Sequence, residues 1–91
     1  WLSEASVYQI RLKHNAEKDL DRLEGESWSK VSAAILALES TPRPHGCVRL
    51  TASEAYRIRV GDYRVIYSVD DKAQIVTIIS VSHRKDAYRQ F

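Results

Sequence analysis

The sequence has little of what reinforces small folds or holds metal ions. Among its 91 residues there is one cysteine, Cys47, so an internal disulfide is excluded. No cysteine or histidine cluster has zinc-ligand spacing, and the three glycines do not form a phosphate-binding loop. We therefore expect no metal site, no cofactor and a reducing cytoplasmic location.

Long apolar runs are also missing. No stretch approaches the roughly 20 residues needed to span a bilayer, so no membrane partner is expected. Residues 1–7 contain Glu4 and lack the basic start of a signal peptide. The length predicts one domain, over residues 1–91.

Positive charge is concentrated in the second half of the chain. The net charge is only +2, but acidic residues lie mainly in the first half and a series of cations follows. These cations are Arg43, Arg49, Arg57, Arg59, Arg64, Arg84, Lys85 and Arg89. Such a distribution is typical of a site for a polyanion. A solvated surface of mixed charge is the alternative.

Hydrophobic periodicity predicts a strand and two helices in the first half. Residues 7–12 alternate between apolar and polar, as in a half-buried strand. We expect Asn15 to cap a first helix that Gly25 ends, and Ser27 or Ser29 to begin a second one. The apolar stripe of this second helix is Val31, Ala34, Ile35 and Leu38. Two prolines predict a loop over residues 40–46.

The second half is predicted to be strands. Residues 55–60 and 63–69 flank Gly61-Asp62, a suitable two-residue hairpin turn because glycine accepts positive φ. A second turn over residues 70–73 leads to a last strand over residues 74–82. This strand carries Ile75, Ile79 and Val81 on one face and Val76 and Ile78 on the other, so we expect it to be central and covered on both sides.

Residues 84–91 are predicted to form a short C-terminal helix. The element order is then strand, helix, helix and three antiparallel strands. This order predicts a small α+β domain with the helix pair packed on one sheet face.

The predicted hairpin places three arginines on one face. If Gly61-Asp62 forms the turn, Arg59 lies directly opposite Arg64, and Arg57 shares their side, which we call the arginine face. Opposed like charges destabilise a strand pair by roughly 0.2–1 kcal/mol, so the fold alone does not require them. RNA phosphates match guanidinium groups well. Alternatively, acidic residues of the tail or loops, or an acidic segment of a partner protein, could neutralise the three arginines.

The same hairpin carries a family resemblance. Residues 56–67, Tyr-Arg-Ile-Arg-Val-Gly-Asp-Tyr-Arg-Val-Ile-Tyr, resemble the hallmark hairpin of the RelE branch of the RelE/ParE toxin superfamily. Residues 83–88, His-Arg-Lys-Asp-Ala-Tyr, resemble that branch's closing motif. Residues 16–20 and 42–44 match its first helix and its interhelix loop. The resemblance covers nearly the whole chain.

The resemblance implies the toxin of a type II toxin–antitoxin system. Such a toxin is a metal-independent endoribonuclease that enters the ribosomal A site, cleaves the mRNA there and inhibits translation. The ribose 2′-hydroxyl attacks the adjacent phosphate, which leaves a 2′,3′-cyclic phosphate and a free 5′-hydroxyl. The implied partners are the ribosome, the mRNA and a RelB-like antitoxin.

The resemblance also implies roles for individual residues. Arg57 and Arg59 would line the RNA cleft, and Arg64 would bind the scissile phosphate and stabilise transition-state charge. Arg84 would protonate or stabilise the leaving group. Tyr88 would stack on a base or orient the 2′-hydroxyl.

The general base is where this chain departs from the family. Some members have lysine at the first hairpin positions, whereas this chain has Arg57 and Arg59, and arginine stays protonated at neutral pH. We favour His83 as the base, because its reference pKa is about 6.5. Lys85, otherwise an RNA-binding residue, and a group of the ribosome or substrate are the other candidates.

The sequence is also compatible with two other functions. A ParE-type inhibitor of DNA gyrase would share the fold and act by binding alone. It would not need Arg64, Arg84 and Tyr88 together, so their joint presence favours the nuclease. A non-catalytic RNA-binding module would bind in a salt-sensitive way without cleavage.

Overall fold

The computed structural model describes residues 8–50 and 55–83. Their elements, in chain order, are β1 (Gln9–Leu12), α1 (His14–Asp21), α2 (Gly25–Ala37), β2 (Val48–Arg49), β3 (Ala55–Val60), β4 (Tyr63–Asp70) and β5 (Ile75–His83). The helix predicted over residues 84–91 lies outside the described residues. Over the described ranges, no helix is long and apolar enough to cross a membrane.

The strands form one mixed sheet in the order β1-β5-β4-β3-β2. β1 pairs parallel with β5, and the other neighbours are antiparallel. The predicted last strand is therefore interior, as expected, but β4 occupies the middle. Two features were not predicted: the parallel pairing, and β2, whose two residues are too few to show periodicity.

The predicted α+β fold is confirmed, with the two helices packed on one face of the sheet. Ala16 of α1 and Val31 and Ile35 of α2 are buried against the sheet. The sheet contributes Ile58, Val65, Tyr67, Val69, Val76, Ile78 and Val81 to the same core. Burial of this apolar surface is the main force that holds the helices in place.

The helix starts differ from the predictions. α1 begins at His14 after Lys13, so Asn15 lies inside its first turn and does not cap it. Gly25 does not end α1, which stops at Asp21; it is the first residue of α2, with φ +56°. Ser27 and Ser29 therefore both lie within α2, and neither begins it. Neither α1 nor α2 has a side-chain hydrogen bond at its N-cap. In a folded protein, the packing of an apolar stripe contributes most of the stability of a helix.

A β-bulge interrupts β5 at Ile79. Ile66 pairs with Ser80 and Tyr67 with Ile78, so Ile79 is an extra residue between the two pairs. The bulge reverses the alternation of the following residues. Val81 therefore joins Val76 and Ile78 in the core, whereas simple alternation had placed it on the other face with Ile75 and Ile79. The opposite face of β5 is half-buried, so the prediction that this strand is covered on both sides is confirmed within the described residues for the helix side only.

Candidate nucleic-acid interface

The hairpin places its arginines as predicted. β3 and β4 pair with Arg59 opposite Arg64 and Arg57 opposite Ile66. The turn between them contains Gly61 at φ +61°, a left-handed conformation that glycine adopts without steric cost. The two-residue turn thereby sets the register that brings the two arginines together.

The opposite face of the hairpin packs against the helices. Ile58 pairs with Val65 there, and both are buried in the core. The rings of Tyr56 and Tyr67 stack with their centroids 5.8 Å apart. Because side chains alternate along a strand, the arginine face is the sheet surface that the helices do not cover.

The three arginines differ in exposure. Arg59 is exposed, whereas Arg57 and Arg64 are half-buried, and the Nε atom of Arg64 is shielded from solvent. A guanidinium group partly embedded in the sheet loses less side-chain entropy when it binds an anion. Arg64 is thus a partly embedded cation beside the exposed Arg59.

Two serines on this face were missed by the sequence interpretation. Ser82 pairs with Arg64 across β4 and β5, so Arg59, Arg64 and Ser82 form one row across three strands. Ser80 pairs with Ile66 in the next row. Simple alternation would place both serines on the face of Val76 and Ile78, and the bulge at Ile79 places them on the other face. No local signal marked the bulge, because the adjacent apolar pairs Ile75-Val76 and Ile78-Ile79 both break the alternation and only the second lies at the register shift.

The structure does not bring His83 onto the arginine face. His83 pairs with Tyr63, one position along from the Arg64–Ser82 pair, so its side chain lies on the opposite face. Its ring makes an edge-on contact with the Tyr63 ring, 5.2 Å between centroids. The expectation that His83 is the base beside these arginines therefore lacks geometric support. Arg84, Lys85 and Tyr88 lie outside the described residues.

A network of polar side chains lies at the β4–β5 turn, at the opposite end of β4 from the Gly61-Asp62 turn. Arg43 donates two hydrogen bonds to the Asp71 carboxylate, at 3.1 and 2.9 Å, and a third to the Tyr56 hydroxyl. The Tyr8 hydroxyl donates to the same carboxylate at 2.8 Å. These bonds, first those from Arg43, lower the pKa of Asp71.

Tyr67 anchors the loop that carries Arg43. Its hydroxyl donates a 2.9 Å hydrogen bond to the carbonyl oxygen of Pro42, and burial raises its pKa. Tyr56, Tyr67 and Arg43 all lie on the helix side of the sheet. The network is therefore separate from the arginine face, and no group of three or more potential metal ligands occurs within residues 8–50 and 55–83.

Comparison with known proteins assigns the chain to a family. The profile described as "ParE toxin of type II toxin-antitoxin system, parDE" matches residues 10–88. Toxin RelE of Mycobacterium tuberculosis is 31% identical over 94 aligned positions, which cover 97% of this chain and 93% of the relative. The chain belongs to the RelE/ParE superfamily of type II toxins, and it is of the RelE type.

Solved structures agree with this RelE-type assignment. A chain of the archaeal RelE–RelB complex from Pyrococcus horikoshii superposes with a TM-score of 0.77 at 28% identity, covering 86% of this chain and 96% of that chain. A chain of the RelBE2 toxin–antitoxin complex from M. tuberculosis superposes with a TM-score of 0.76 at 27% identity, covering 86% of this chain and 92% of that chain.

Proposed function

We propose that this RelE-type toxin is a metal-independent endoribonuclease that cleaves mRNA in the ribosomal A site and so inhibits translation. The observation that carries the proposal is the direct opposition of Arg59 and Arg64 on the sheet face that α1 and α2 do not cover, with Arg57 beside them. Directly opposed like charges are unfavourable in a strand pair, and a phosphodiester backbone bound to this face would supply negative charge to both arginines.

The reaction needs no nucleophile from the protein. The 2′-hydroxyl of the RNA loses its proton and its oxygen bonds to the adjacent phosphorus. The bond to the 5′-oxygen of the next nucleotide breaks, and that oxygen takes up a proton. The products are a 2′,3′-cyclic phosphate and a free 5′-hydroxyl. The protein must hold the backbone in line and neutralise the charge that develops on phosphorus-bound oxygens.

The arginine face supplies the groups for this task. Arg64, half-buried in mid-sheet, would bind the scissile phosphate, while Arg57 and Arg59 would hold flanking phosphates. Ser82, in the same row as Arg64, adds a hydroxyl donor. Arg84 follows β5 directly and would protonate or stabilise the leaving oxygen. Tyr88, carried over by resemblance, would stack on a base or orient the 2′-hydroxyl.

The proposal does not give His83 the role of base, because its ring packs on Tyr63 on the other face. Lys85, also proposed to bind RNA, and a group of the ribosome or RNA are the remaining candidates. If this is correct, His83→Ala keeps most of the cleavage rate, whereas loss of a true general base costs about 10²–10⁴-fold.

We also propose a RelB-like antitoxin as the partner. The structures cited above are toxin–antitoxin complexes, and this chain resembles them over most of its length. An unrestrained mRNA nuclease would arrest its own host, so a tight inhibitor is required.

A second candidate function is a ParE-type inhibitor of DNA gyrase. The family profile that matches residues 10–88 carries the ParE description, which favours this candidate. It would use the same fold for binding and leave mRNA intact.

Expression of the chain alone, without an antitoxin, tests the proposal. We expect growth arrest with mRNA cut on translating ribosomes. The double variant Arg64→Ala, Arg84→Ala should lose at least about 10²-fold in cleavage, since it removes two transition-state contacts. Arg22→Ala is the matched control, because it removes an exposed arginine at the end of α1, away from the arginine face.

The outcomes separate the candidates. Arrest with intact mRNA and blocked replication would replace the nuclease with the gyrase inhibitor. Cleavage by the double variant at the parental rate would refute the assignment of both arginines.

A further inference from the structure

A side-chain hydrogen bond joins α1 to the last part of β5. Oδ2 of Asp19 accepts from the backbone N–H of Val81 at a distance of 3.0 Å. Asp19 is half-buried, whereas Glu17 and Asp21 on the same helix are exposed. A carboxylate that turns inward to accept a backbone amide has a specific structural task, unlike a solvated surface charge.

The bond occurs where β5 loses its neighbour. β1 pairs with β5 only as far as Leu12 opposite Ile78, and the N–H of Lys13 then donates to the Ile78 carbonyl. Within the described residues, no strand continues along this edge of β5 past Ile78. Backbone amides on an open edge need another acceptor or water, and Asp19 provides one for Val81.

The same stretch of β5 follows the bulge at Ile79. The bulge turns Ser82 towards the arginine face, where it lies across from Arg64. A bulged strand bends and twists locally, so its orientation past the bulge depends on what holds it. On the edge away from β4, Asp19 holds it at Val81.

We propose that Asp19 is a positioning residue for the nuclease site. Its carboxylate secures the last residues of β5, which keeps Ser82 beside Arg64. Asp19 does not touch the RNA. This inference rests on the proposed function, because its effect is on cleavage.

Two substitutions separate hydrogen bonding from charge. Asp19→Ala removes the acceptor, whereas Asp19→Asn removes the charge but keeps a side-chain oxygen that can accept from Val81. Asp21→Ala is the matched control, since it removes an exposed carboxylate two residues away on the same helix.

The measurement is cleavage of mRNA on programmed ribosomes, per folded molecule, at a temperature where circular dichroism shows every variant folded. We expect Asp19→Ala to lower kcat about 10–100-fold with little change in KM, since small displacements of catalytic groups have effects of this order. Asp19→Asn should recover most of kcat, and Asp21→Ala should match the parent. Amide hydrogen exchange at Val81 and Ser82 should accelerate in Asp19→Ala alone.

Three results would overturn the inference. Asp19→Ala could cleave at the parental rate per folded molecule, or Asp19→Asn could be as slow as Asp19→Ala, or exchange at Val81 could be unchanged. A parent protein that leaves mRNA intact would instead refute the proposed function. Amide hydrogen exchange would then still test whether the Asp19 carboxylate holds the backbone of β5 at Val81.

Discussion

At the residue scale, the like-charged pair Arg59 and Arg64 is expected to lower the stability of the protein while serving the proposed RNA binding. The two guanidinium groups occur at directly paired positions of β3 and β4, whereas Arg57 faces the uncharged Ile66. The same hairpin thus contains an arginine with a like-charged partner and one without. Comparing substitutions of Arg59 and of Arg57 therefore measures how much the like-charge opposition lowers the free energy of unfolding.

We predict that Arg59→Thr stabilises the protein more than Arg57→Thr does. The difference should be about 0.2–1 kcal/mol in the free energy of unfolding, since only Arg59→Thr relieves a directly opposed like charge. Urea unfolding at low ionic strength measures it. The difference should shrink in about 1 M salt, where the Debye length is about 3 Å. Equal stabilities at low salt would show that the two cations do not repel each other in the free protein.

At the element scale, the hairpin was predictable from sequence and its neighbours were not. A two-residue turn and alternating side chains determine register and face within twelve consecutive residues, so Arg57, Arg59 and Arg64 were placed correctly. The bulge at Ile79 escaped prediction because it depends on how β5 fits against β4. The helix starts escaped for a similar reason, since buried stripe residues outweighed the local capping preference of Asn15.

The turn itself gives a prediction at this scale. Gly61 has φ +61°, and a Cβ added there would meet no atom within 4 Å, so only the backbone conformation opposes substitution. Gly61→Ala should cost about 1–2 kcal/mol in the free energy of unfolding. Gly61→Asn should cost clearly less, because asparagine tolerates this conformation. Chemical denaturation of both variants is the measurement, and equal losses would contradict a left-handed turn residue.

At the scale of the whole molecule, one carboxylate joins three distant parts of the chain. Asp71, in the β4–β5 turn, accepts hydrogen bonds from Arg43 in the loop after α2 and from Tyr8 beside β1. The hydrogen bonds of Asp71 therefore connect the β4–β5 turn to the loop after α2 and to the start of β1.

The lowered pKa of Asp71 predicts a pH dependence of stability. A carboxyl group with a folded pKa below its unfolded value, about 3.9, stabilises the protein above that value. This contribution is lost as the pH falls through the folded pKa. Asp71→Asn should therefore be less stable than the parent at pH 7, and the difference should diminish as the pH falls below the unfolded pKa of about 3.9.

Urea unfolding of both proteins across this pH range is the measurement. Asp62→Asn is the control, since it neutralises an exposed carboxylate in the other turn. A gap between Asp71→Asn and the parent that stays constant with pH would contradict the linkage.

The sequence by itself determined the α+β class, the hairpin register and the arginine face, because these follow from periodicity and turn chemistry among neighbouring residues. Tertiary structure decided that His83 packs on Tyr63 away from the arginines, that Ser82 stands beside Arg64, and that Asp19 holds the edge of β5. Each of these depends on a strand pairing, a bulge or a hydrogen bond between residues far apart along the chain. Local periodicity carries no information about such contacts, since they form only when separate elements pack together.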